Sequence, residues 1–348
     1  MESRAFYETF KRYRNAYKNF LQVMFSLYRG KEMIYVVFHD GYRKKISRKE
    51  AVEITFLVEN NAEKTLEALE KEALSTGEIH LLLALIKGGI DTKRGLQLIK
   101  SVGISSGKAR LMGDLILHGI GTDEALKYVT NDRILYKDRN VVLHAMDSNG
   151  DVTGVFLEES YKYLNPLGQS VIDVGANIGD SAIYFAINGA KRVIALEPFV
   201  TTFVLAKRNI EENGLEDKIT LLNGGYGKDS EIVVDSEGAF DGSSELKPSS
   251  AGARIKIYSL ASLVEMFDIR NAVLKMDCEG CEYNILNEAT CILRKFERIV
   301  IEYHHGYKKI EQKLKACGFR TTHTEPATYF QTTNMHFVKI GLIYAERI

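Results

Sequence analysis

The chain of 348 residues carries no excess charge of either sign: 46 Lys+Arg stand against 46 Asp+Glu. It therefore has no global field to gather nucleic acid. No apolar run approaches the ~20 residues that span a bilayer. Charges interrupt the first thirty residues throughout, so no secretory leader is legible there. Cysteine is scarce, with Cys278, Cys281, Cys291 and Cys317, and these four do not form the pattern of a disulfide framework. The expectation is a reducing, cytoplasmic setting. Cys278 and Cys281 make a C-x-x-C, but no second pair or histidine stands at zinc spacing. Two acids crowd the motif and would raise the thiol pKa, against a thioredoxin-type role. The pair reads as two small buried residues.

What is present is length for two domains and, at 45% hydrophobic residues, material for a sizeable core. Charge is unevenly spread: residues 1–50 hold 12 Lys+Arg against 5 Asp+Glu, 51–150 hold 12 against 14, and 151–348 hold 22 against 27. The basic first fifty residues are rich in aromatics. Phe6, Phe10, Tyr13, Tyr17, Phe20, Leu21, Met24 and Leu27 recur in steps of three and four and predict one helical face over 3–28. Such a stripe is read first as a helix packed on its own protein; a basic amphipathic helix on RNA or a membrane surface is the sharper reading. Residues 33–46 read as a hairpin turning at His39-Asp40-Gly41. Residues 61–127 read as wholly helical. Gly89-Ile90-Asp91-Thr92, Gly103-Ile104-Ser105-Ser106 and Gly119-Ile120-Gly121-Thr122 repeat within them, a glycine ending one helix and a Ser, Thr or Asp capping the next. Their acidic balance counts against a DNA-reading helix-turn-helix.

From Ile134 the pattern changes. Val141 to Met146 and Gly154 to Leu157 read as strands about a Ser148-Asn149-Gly150-Asp151 turn. Strands at 171–174, 192–196, 219–222, 255–257, 272–276 and 298–302 then alternate with helices, which predicts a mostly parallel, doubly wound α/β sheet. A long last strand, 336–344, has no helix after it. The expected organisation is a mainly helical region over 1–130 and a Rossmann-like domain over 131–348.

The chemistry concentrates at three strand ends. Val171-Ile172-Asp173-Val174-Gly175-Ala176-Asn177-Ile178-Gly179-Asp180 is strand, tight turn and helix start, and Glu197 closes the next strand, where an acid can take both ribose hydroxyls of an adenosine. The dinucleotide fingerprint is missing: Asn177 and Asp180 stand where G-x-G-x-x-G needs its second and third glycines, which argues against NAD and FAD. D-x-G-x-N-x-G instead resembles motif I of class I S-adenosylmethionine-dependent methyltransferases, whose cofactor has no phosphate. The resemblance implies cofactor contacts from Gly175, Ala176, Asn177, Gly179, Asp180 and Ser181, with Asp173 toward the cofactor's ammonium and Glu197-Pro198 at the ribose. The third strand end, through Gly225 and Tyr226, would read the adenine edge. Val273 to Met276 delivers Asp277 and Glu279 to the same edge of the sheet. Two carboxylates so close can share a proton, take one from a hydroxyl, or hold Mg²⁺. Ile299 to Glu302 delivers His304, a candidate base. The metal-free reading is preferred, because Glu302 and His304 are the only further ligands in prospect and their spacing is not diagnostic.

Residues 154–344 resemble the FkbM family of methyltransferases. The resemblance rests on Val171 to Gly179, on Glu197-Pro198, and on Leu274-Lys275-Met276-Asp277-Cys278-Glu279-Gly280-Cys281-Glu282, similar to that family's K-I-D-V-E-G-A-E. Ser259-Leu260, Glu302-Tyr303-His304 and the upstream Glu158, Tyr161 and Tyr163 add to it. Met276, Cys278 and Cys281 depart from the pattern. The resemblance implies S-adenosylmethionine-dependent transfer of a methyl group, typically to an oxygen of a small molecule, sugar or glycan. Asp277, Glu279 and His304 would supply the base. Two other classes stay in view. An RNA methyltransferase would use the basic N-terminus, but no N-P-P-Y or D-P-P-Y stands at the fourth strand and nucleic acid is disfavoured. A binding module that only retains the fold would not need intact Asp173, Glu197 and Asp277. The N-terminal helices could serve as a homo-oligomer surface.

Overall fold

Burial on both faces sets the character of the central strands. In the computed structural model, Ser170–Val174 and Ala272–Met276 are buried at every position, as strands of a parallel sheet covered by helices must be. The structure describes residues 11–29, 31, 33–37, 43–47, 51, 55, 74–144, 152–234, 248–249, 252–331 and 336–348. The chain separates into two compact units, one of Met1–Asn131 with Phe330–Phe337 and one of Asp132–Tyr329 with Val338–Ile348.

In the first unit the expected helix over 3–28 is not continuous. It runs through residues 11–16, breaks at 17–19 and resumes as α1, Phe20–Tyr28. The break has a hydrogen-bonding cause. Asn19 Oδ1 accepts from Val37 N (2.7 Å), Asn19 Nδ2 donates to Tyr35 O (3.0 Å) and Lys18 N donates to Val37 O (2.7 Å). A side chain that satisfies a strand's backbone competes with helix at its own position. Tyr13, Tyr17 and Leu27 of the stripe are buried, with Ala16 and Val23 beside them, whereas Leu21 of the stripe and the neighbouring Phe25 and Tyr28 are exposed. Strands β1 (Met33–Val37) and β2 (Arg43–Ser47) form the expected antiparallel hairpin, in register Met33↔Ser47. Its turn at His39–Gly41 lies outside the described residues, as do 61–73 of the helical stretch.

Helices α2 (Thr76–Lys87), α3 (Thr92–Val102), α4 (Ser106–Leu117) and α5 (Thr122–Asn131) follow. Two of the three repeat units cap the following helix as the sequence suggests. Asp91 caps α3 through Arg94 N, Ser105 caps α4 through Lys108 N, and Gly103 ends α3 at φ 62. α2 starts with a capping box in which Ser75 and Glu78 bond reciprocally.

The second unit opens with an antiparallel pair, β3 (Arg133–Tyr136) and β4 (Arg139–Val142). The strand expected over Val141–Met146 thus ends at Val142, and the turn at Ser148–Gly150 lies outside the described residues. The strand expected at Gly154–Leu157 is instead a single π-helical turn, Thr153–Leu157. A short apolar run does not distinguish the two by periodicity. Here the helical turn buries Val152, Val155 and Phe156 and sets the Phe156 ring against Tyr136 and Tyr184, at 5.3 and 5.9 Å.

The sheet then builds from β5 (Ser170–Val174), α6 (Asp180–Ile187), β6 (Arg192–Glu197), α7 (Val200–Glu212), β7 (Ile219–Tyr226), β8 (Ser230–Val234), β9 (Ala253–Tyr258), α8 (Leu260–Met266), β10 (Ala272–Met276), α9 (Thr290–Leu293), β11 (Phe296–Tyr303), α10 (Lys308–Ala316), β12 (Phe319–His323), β13 (Ala327–Gln331) and β14 (His336–Arg347). Its order is β12-β14-β11-β10-β5-β6-β7-β9-β8, with β13 on β14. β11, β10, β5, β6, β7 and β9 are parallel in succession, and β14 inserts antiparallel between β11 and β12. This is the doubly wound, Rossmann-like arrangement expected from the sequence, with the long last strand antiparallel. After β5 the chain moves first to β6 and returns later to β10 on the other side. The order reverses at β5, and in such sheets the crevice beyond the strand ends at the reversal is where ligands bind.

Candidate active site

The loops after β5 and β10 meet at that reversal. Asp277 N donates to Val174 O at 3.1 Å. Gly175 has φ 79, and a Cβ there would lie 1.8 Å from the Asp277 carbonyl oxygen. Only glycine lets the two loops approach so closely. The sequence reading gave this glycine to the cofactor; the structure shows that the neighbouring loop already requires it. Gly175 N and Ala176 N both donate to Leu196 O (3.1 and 2.9 Å), and Gly179 N to Ala176 O (2.7 Å). Asn177 closes the turn at φ 48, in the left-handed region that asparagine tolerates.

Glu197 sits 4% exposed at the end of β6. Its two oxygens accept from Asn177 N and Phe199 N, each at 2.9 Å. Burial pushes its carboxyl up to about 8, against the lowering by the Phe199 and Asn177 amides. It is thereby fixed in place, with lone pairs left over for hydroxyl donors. Asn223, level with Glu197 in the β6–β7 register, donates to the Glu197 and Pro198 carbonyls at 2.9 and 3.1 Å.

Asp173 is turned into the protein. It is 0% exposed, takes a hydrogen bond from Ser181 Oγ (2.7 Å) and faces Lys275 Nζ at 3.2 Å. A direct bond to a cofactor ammonium, expected from the sequence, is thus pre-empted by Lys275, and Ser181 is committed to Asp173. Lys275 is 2% exposed and also donates to Gly175 O at 2.5 Å. Asp173, Asp277 and Asp180 raise its pKa beyond the ordinary lysine value against the opposing effect of burial. It is a buried cation tying the β5 turn to β10, and sequence inspection passed over it as one residue of a motif. Asp180, at the start of α6, is 2% exposed. Its Oδ1 accepts from Ser181 N, and its Oδ2 has no hydrogen-bond partner among the described residues. Burial pushes this carboxyl up to about 6.

The third strand runs further than expected. Gly225 and Tyr226 are not in a loop: β7 runs on to Tyr226, with Gly225↔Ile257 and Tyr226↔Tyr258 paired to β9. The Tyr226 hydroxyl points to Glu288 (3.1 Å) from a buried ring. A Gly-Gly-Tyr run reads as a turn by composition, but pairing with β9 extends the strand. Asn223 is the residue of that strand left beside Glu197.

On the β10 and β11 side the acids converge on one cation. His304 is 5% exposed. Its Nδ1 faces Glu282 Oε1 at 3.1 Å and its Nε2 faces Glu279 Oε2 at 3.3 Å and Glu302 Oε1 at 3.9 Å. Glu282 Oε1 also accepts from His304 N (3.0 Å), and its Oε2 from Gly280 N (2.7 Å). Burial works against charge on the ring, but the Glu279 and Glu282 carboxylates outweigh it and push the pKa up to about 11. A ring held as imidazolium between two carboxylates has no free nitrogen with which to act as a base. Glu302 differs. The Asp277 charge and burial push its carboxyl up to about 8, near the value a general base at neutral pH needs. Tyr161 donates to Asp277 Oδ2 at 3.1 Å.

Asp277, Glu302 and His304 offer ligand atoms within 4.8 Å of one another. As a metal centre the set fits poorly, because both His304 nitrogens are occupied by carboxylates and the ring must lose its proton to coordinate. Cys278 and Cys281, read from the sequence as small buried residues, are half-buried and joined in a disulfide, while Cys291 and Cys317 are free. No helix among the described residues is long and apolar enough to cross a membrane.

Comparison with known proteins agrees with the motifs. Residues 173–321 match the family described as the methyltransferase FkbM domain. A ribosomal protein L11 methyltransferase from Carboxydothermus hydrogenoformans is 35% identical over 86 residues, which is 24% of this chain and 28% of that protein; the match thus spans under a third of the relative. Among solved structures, the ribosomal protein L11 methylase of Lactobacillus delbrueckii subsp. bulgaricus aligns at 14% identity and TM-score 0.35, over 62% of this chain and 90% of that one. The precorrin 8W decarboxylase of Methanobacterium thermoautotrophicum aligns at 17% identity and TM-score 0.34, over 55% and 88%.

Proposed function

We propose that the second unit is an S-adenosylmethionine-dependent methyltransferase that methylates a hydroxyl oxygen of a small molecule, sugar or glycan. The observation that carries the reading is the contact of Gly175 with the Asp277 carbonyl, which makes the motif I turn and the acid edge one site. The fit of the cofactor rests on Asp180. A buried carboxylate oxygen without a partner is costly, and a cationic ligand group beside it relieves that cost. Glu197 would hold the ribose, the turn of Gly175 to Gly179 would carry the methionine portion, and Asn223 would flank the adenine. When bound, the cofactor supplies an electrophilic methyl group on a sulfonium.

The chain's own residues then have distinct tasks. Lys275 fixes the turn from beneath, through the Gly175 carbonyl and Asp173. Asp277, anchored by Tyr161 and by its own amide, faces Glu302. Like charges at close range cannot both ionise freely, so the pair holds a proton at neutral pH. Glu302 in its ionised form accepts the acceptor hydroxyl's proton as transfer proceeds. His304, held in place by Glu279 and Glu282, is a fixed imidazolium whose Nε2 lies 3.9 Å from Glu302 Oε1 and positions it. Mg²⁺ is not required by this scheme. A homo-oligomer through the N-terminal helices and a small-molecule partner belong to the same proposal.

Calorimetry with S-adenosylhomocysteine tests it. The wild-type chain should bind, and Glu197→Ala should bind roughly ten- to a hundredfold more weakly, the worth of one or two hydrogen bonds to a carboxyl group. Unchanged affinity refutes the ribose assignment, and no binding by the wild type refutes the cofactor. Labelled methyl transfer to extracts then sorts the acceptor: a ribonuclease-sensitive product points to RNA, a protease-sensitive one to protein, and a product resistant to both supports the small-molecule or glycan reading.

A further inference from the structure

The geometry points to Cys278–Cys281 as a redox-active site that a dithiol reductant opens and that thereby governs the acid edge. Its effect on methyl transfer rests on the function proposed above; the redox chemistry does not. The family-like motif around it, Leu274 to Glu282, departs from K-I-D-V-E-G-A-E at Met276, an apolar replacement for Ile, and where Val and Ala are replaced by these two cysteines, and the two are bonded to each other. The bond closes over Glu279 and Gly280 alone. Glu279 has φ 51 and Gly280 φ 110. A non-glycine residue in the left-handed region costs about 1–2 kcal/mol, so Glu279 stays there because its surroundings hold it. The disulfide is the covalent part of that constraint.

The small ring is wired to the cation at the edge. Glu279, inside it, reaches His304 Nε2 at 3.3 Å. Glu282, one residue beyond it, takes Gly280 N from inside the ring and both His304 N and Nδ1 from β11. Cys278 Sγ lies 3.8 Å from Glu282 Oε2. Both cysteines are half-buried rather than sealed, so a small thiol reaches them.

In the reductive step a dithiolate attacks one sulfur, the Cys278–Cys281 bond breaks, and a mixed disulfide forms. The second thiol of the reductant then closes its own disulfide. Two electrons and two protons pass to the protein, leaving two thiols. Freed of the ring, Glu279 can return to negative φ, which withdraws its carboxylate from His304. Glu282 remains. Cofactor contacts at Glu197 lie on another strand and are untouched.

The test uses the full chain purified without reductant, with dithiothreitol as the probe. Alkylation and intact mass should show two further reactive thiols after reduction, mapping to Cys278 and Cys281. The His304 imidazole, followed by NMR, should titrate about one pH unit lower or more in the reduced protein, the effect of losing Glu279 while Glu282 and the more distant Glu302 remain. Cys278→Val/Cys281→Ala, which restores the family's residues, should titrate like the reduced wild type and ignore reductant. S-adenosylhomocysteine should bind equally in both redox states. The inference is overturned if Cys278 and Cys281 alkylate fully before reduction, or if His304 titrates identically in both states. Absence of S-adenosylhomocysteine binding in either state would sink the proposed function and leave the redox result standing.

Discussion

Removing the charge of Lys275 is the perturbation that most directly tests how the site is held. Lys275→Met keeps the length of the side chain and deletes its ammonium. Three groups lose their partner at once: Asp173, fully buried and 3.2 Å away; the Gly175 carbonyl at 2.5 Å; and the electrostatic counterweight to Asp180. Breaking a buried ion pair from one side costs about 3–5 kcal/mol, and for a unit of this size each kcal/mol moves Tm by about 2–4 °C, so the variant should melt roughly 6–20 °C lower. The pH dependence has a definite sign. In the variant, Asp173 is left as a fully buried charge without its cation, which is the source of the deficit. In the wild type, Lys275 has a folded pKa above the ordinary value, and its stabilisation is present at neutral pH and lost only as pH rises through that elevated value. Adding Asp173→Asn to the variant removes the orphaned charge and should recover much of the loss. Thermal or urea unfolding at pH 5 and pH 8 reads all of this. A loss under about 1 kcal/mol, the level of an exposed pair, or a double variant no more stable than Lys275→Met, would refute the view of Lys275 as the tie between the two loops.

The kcat/KM of methyl transfer for the cofactor should rise with pH through about 8 as Glu302 of the free protein ionises, falling roughly tenfold per pH unit well below that value, with the kcat limb displaced to lower pH by the bound cation; Glu302→Gln should remove this limb, and a profile unchanged in the variant would reassign the base. Gly175→Ala should unfold or loosen the sheet edge by at least ~2 kcal/mol, since its methyl has no room against the Asp277 carbonyl, and a stable variant with normal S-adenosylhomocysteine affinity would contradict the close approach. NADH should show no saturable fluorescence enhancement at micromolar concentration, because Asp180 places a carboxylate where a pyrophosphate would need to sit. A chain beginning at Asp132 should fold and bind S-adenosylhomocysteine, and failure of either would make the N-terminal region part of the core or the site.

The sheet was legible because its strands announce themselves twice, by apolar runs and by what ends them. Asp173-Val174-Gly175 and Met276-Asp277 are each a buried strand meeting a charged or glycine-bearing turn, and a parallel sheet leaves few other ways to arrange them. Short segments without such punctuation were misread. Gly154 to Leu157 has the composition of a strand and forms a π-helical turn because Phe156 finds two aromatic rings. Gly224-Gly225-Tyr226 has the composition of a loop and continues β7 because β9 pairs with it. The acids of the site were legible by position but not by task. Asp173 and His304 stand where a motif reading puts them, yet their partners lie on other strands. The Lys275 ammonium pre-empts Asp173, and Glu279 with Glu282 immobilises His304. Local sequence cannot show which of several nearby acids captures a cation, since that is settled by a few ångströms of packing. A lysine inside an otherwise apolar, buried parallel strand must have a buried counter-charge, and the neighbouring strand offers Asp173 at the same level.

The charge balance of the edge argues for the kind of ligand it takes. Among the described residues, the cations that Asp173, Asp180, Glu197, Asp277, Glu279, Glu282 and Glu302 face are Lys275 and His304. Glu197 and Glu302, both pushed up to about 8, hold protons at neutral pH and reduce the imbalance without removing it. Lys275 answers Asp173, and His304 answers only one of Glu279 and Glu282. One carboxylate of that pair, Asp180 and Asp277 are left as surplus negative charge, the last two on the segments that meet at Gly175. An anionic cofactor such as a dinucleotide would meet repulsion from both, whereas one bearing an ammonium and a sulfonium would find a carboxylate on each side of the turn. The same surplus keeps Glu302 protonated until a cation arrives. Binding of a positively charged cofactor should therefore lower the Glu302 pKa and release a proton, which links cofactor arrival to activation of the base. Calorimetry of S-adenosylmethionine binding in buffers of different ionisation enthalpy measures that release. At pH 7 it should exceed that of the uncharged-sulfur product S-adenosylhomocysteine, and equal proton release for the two would show that the sulfonium does not lie near Asp277 and Glu302.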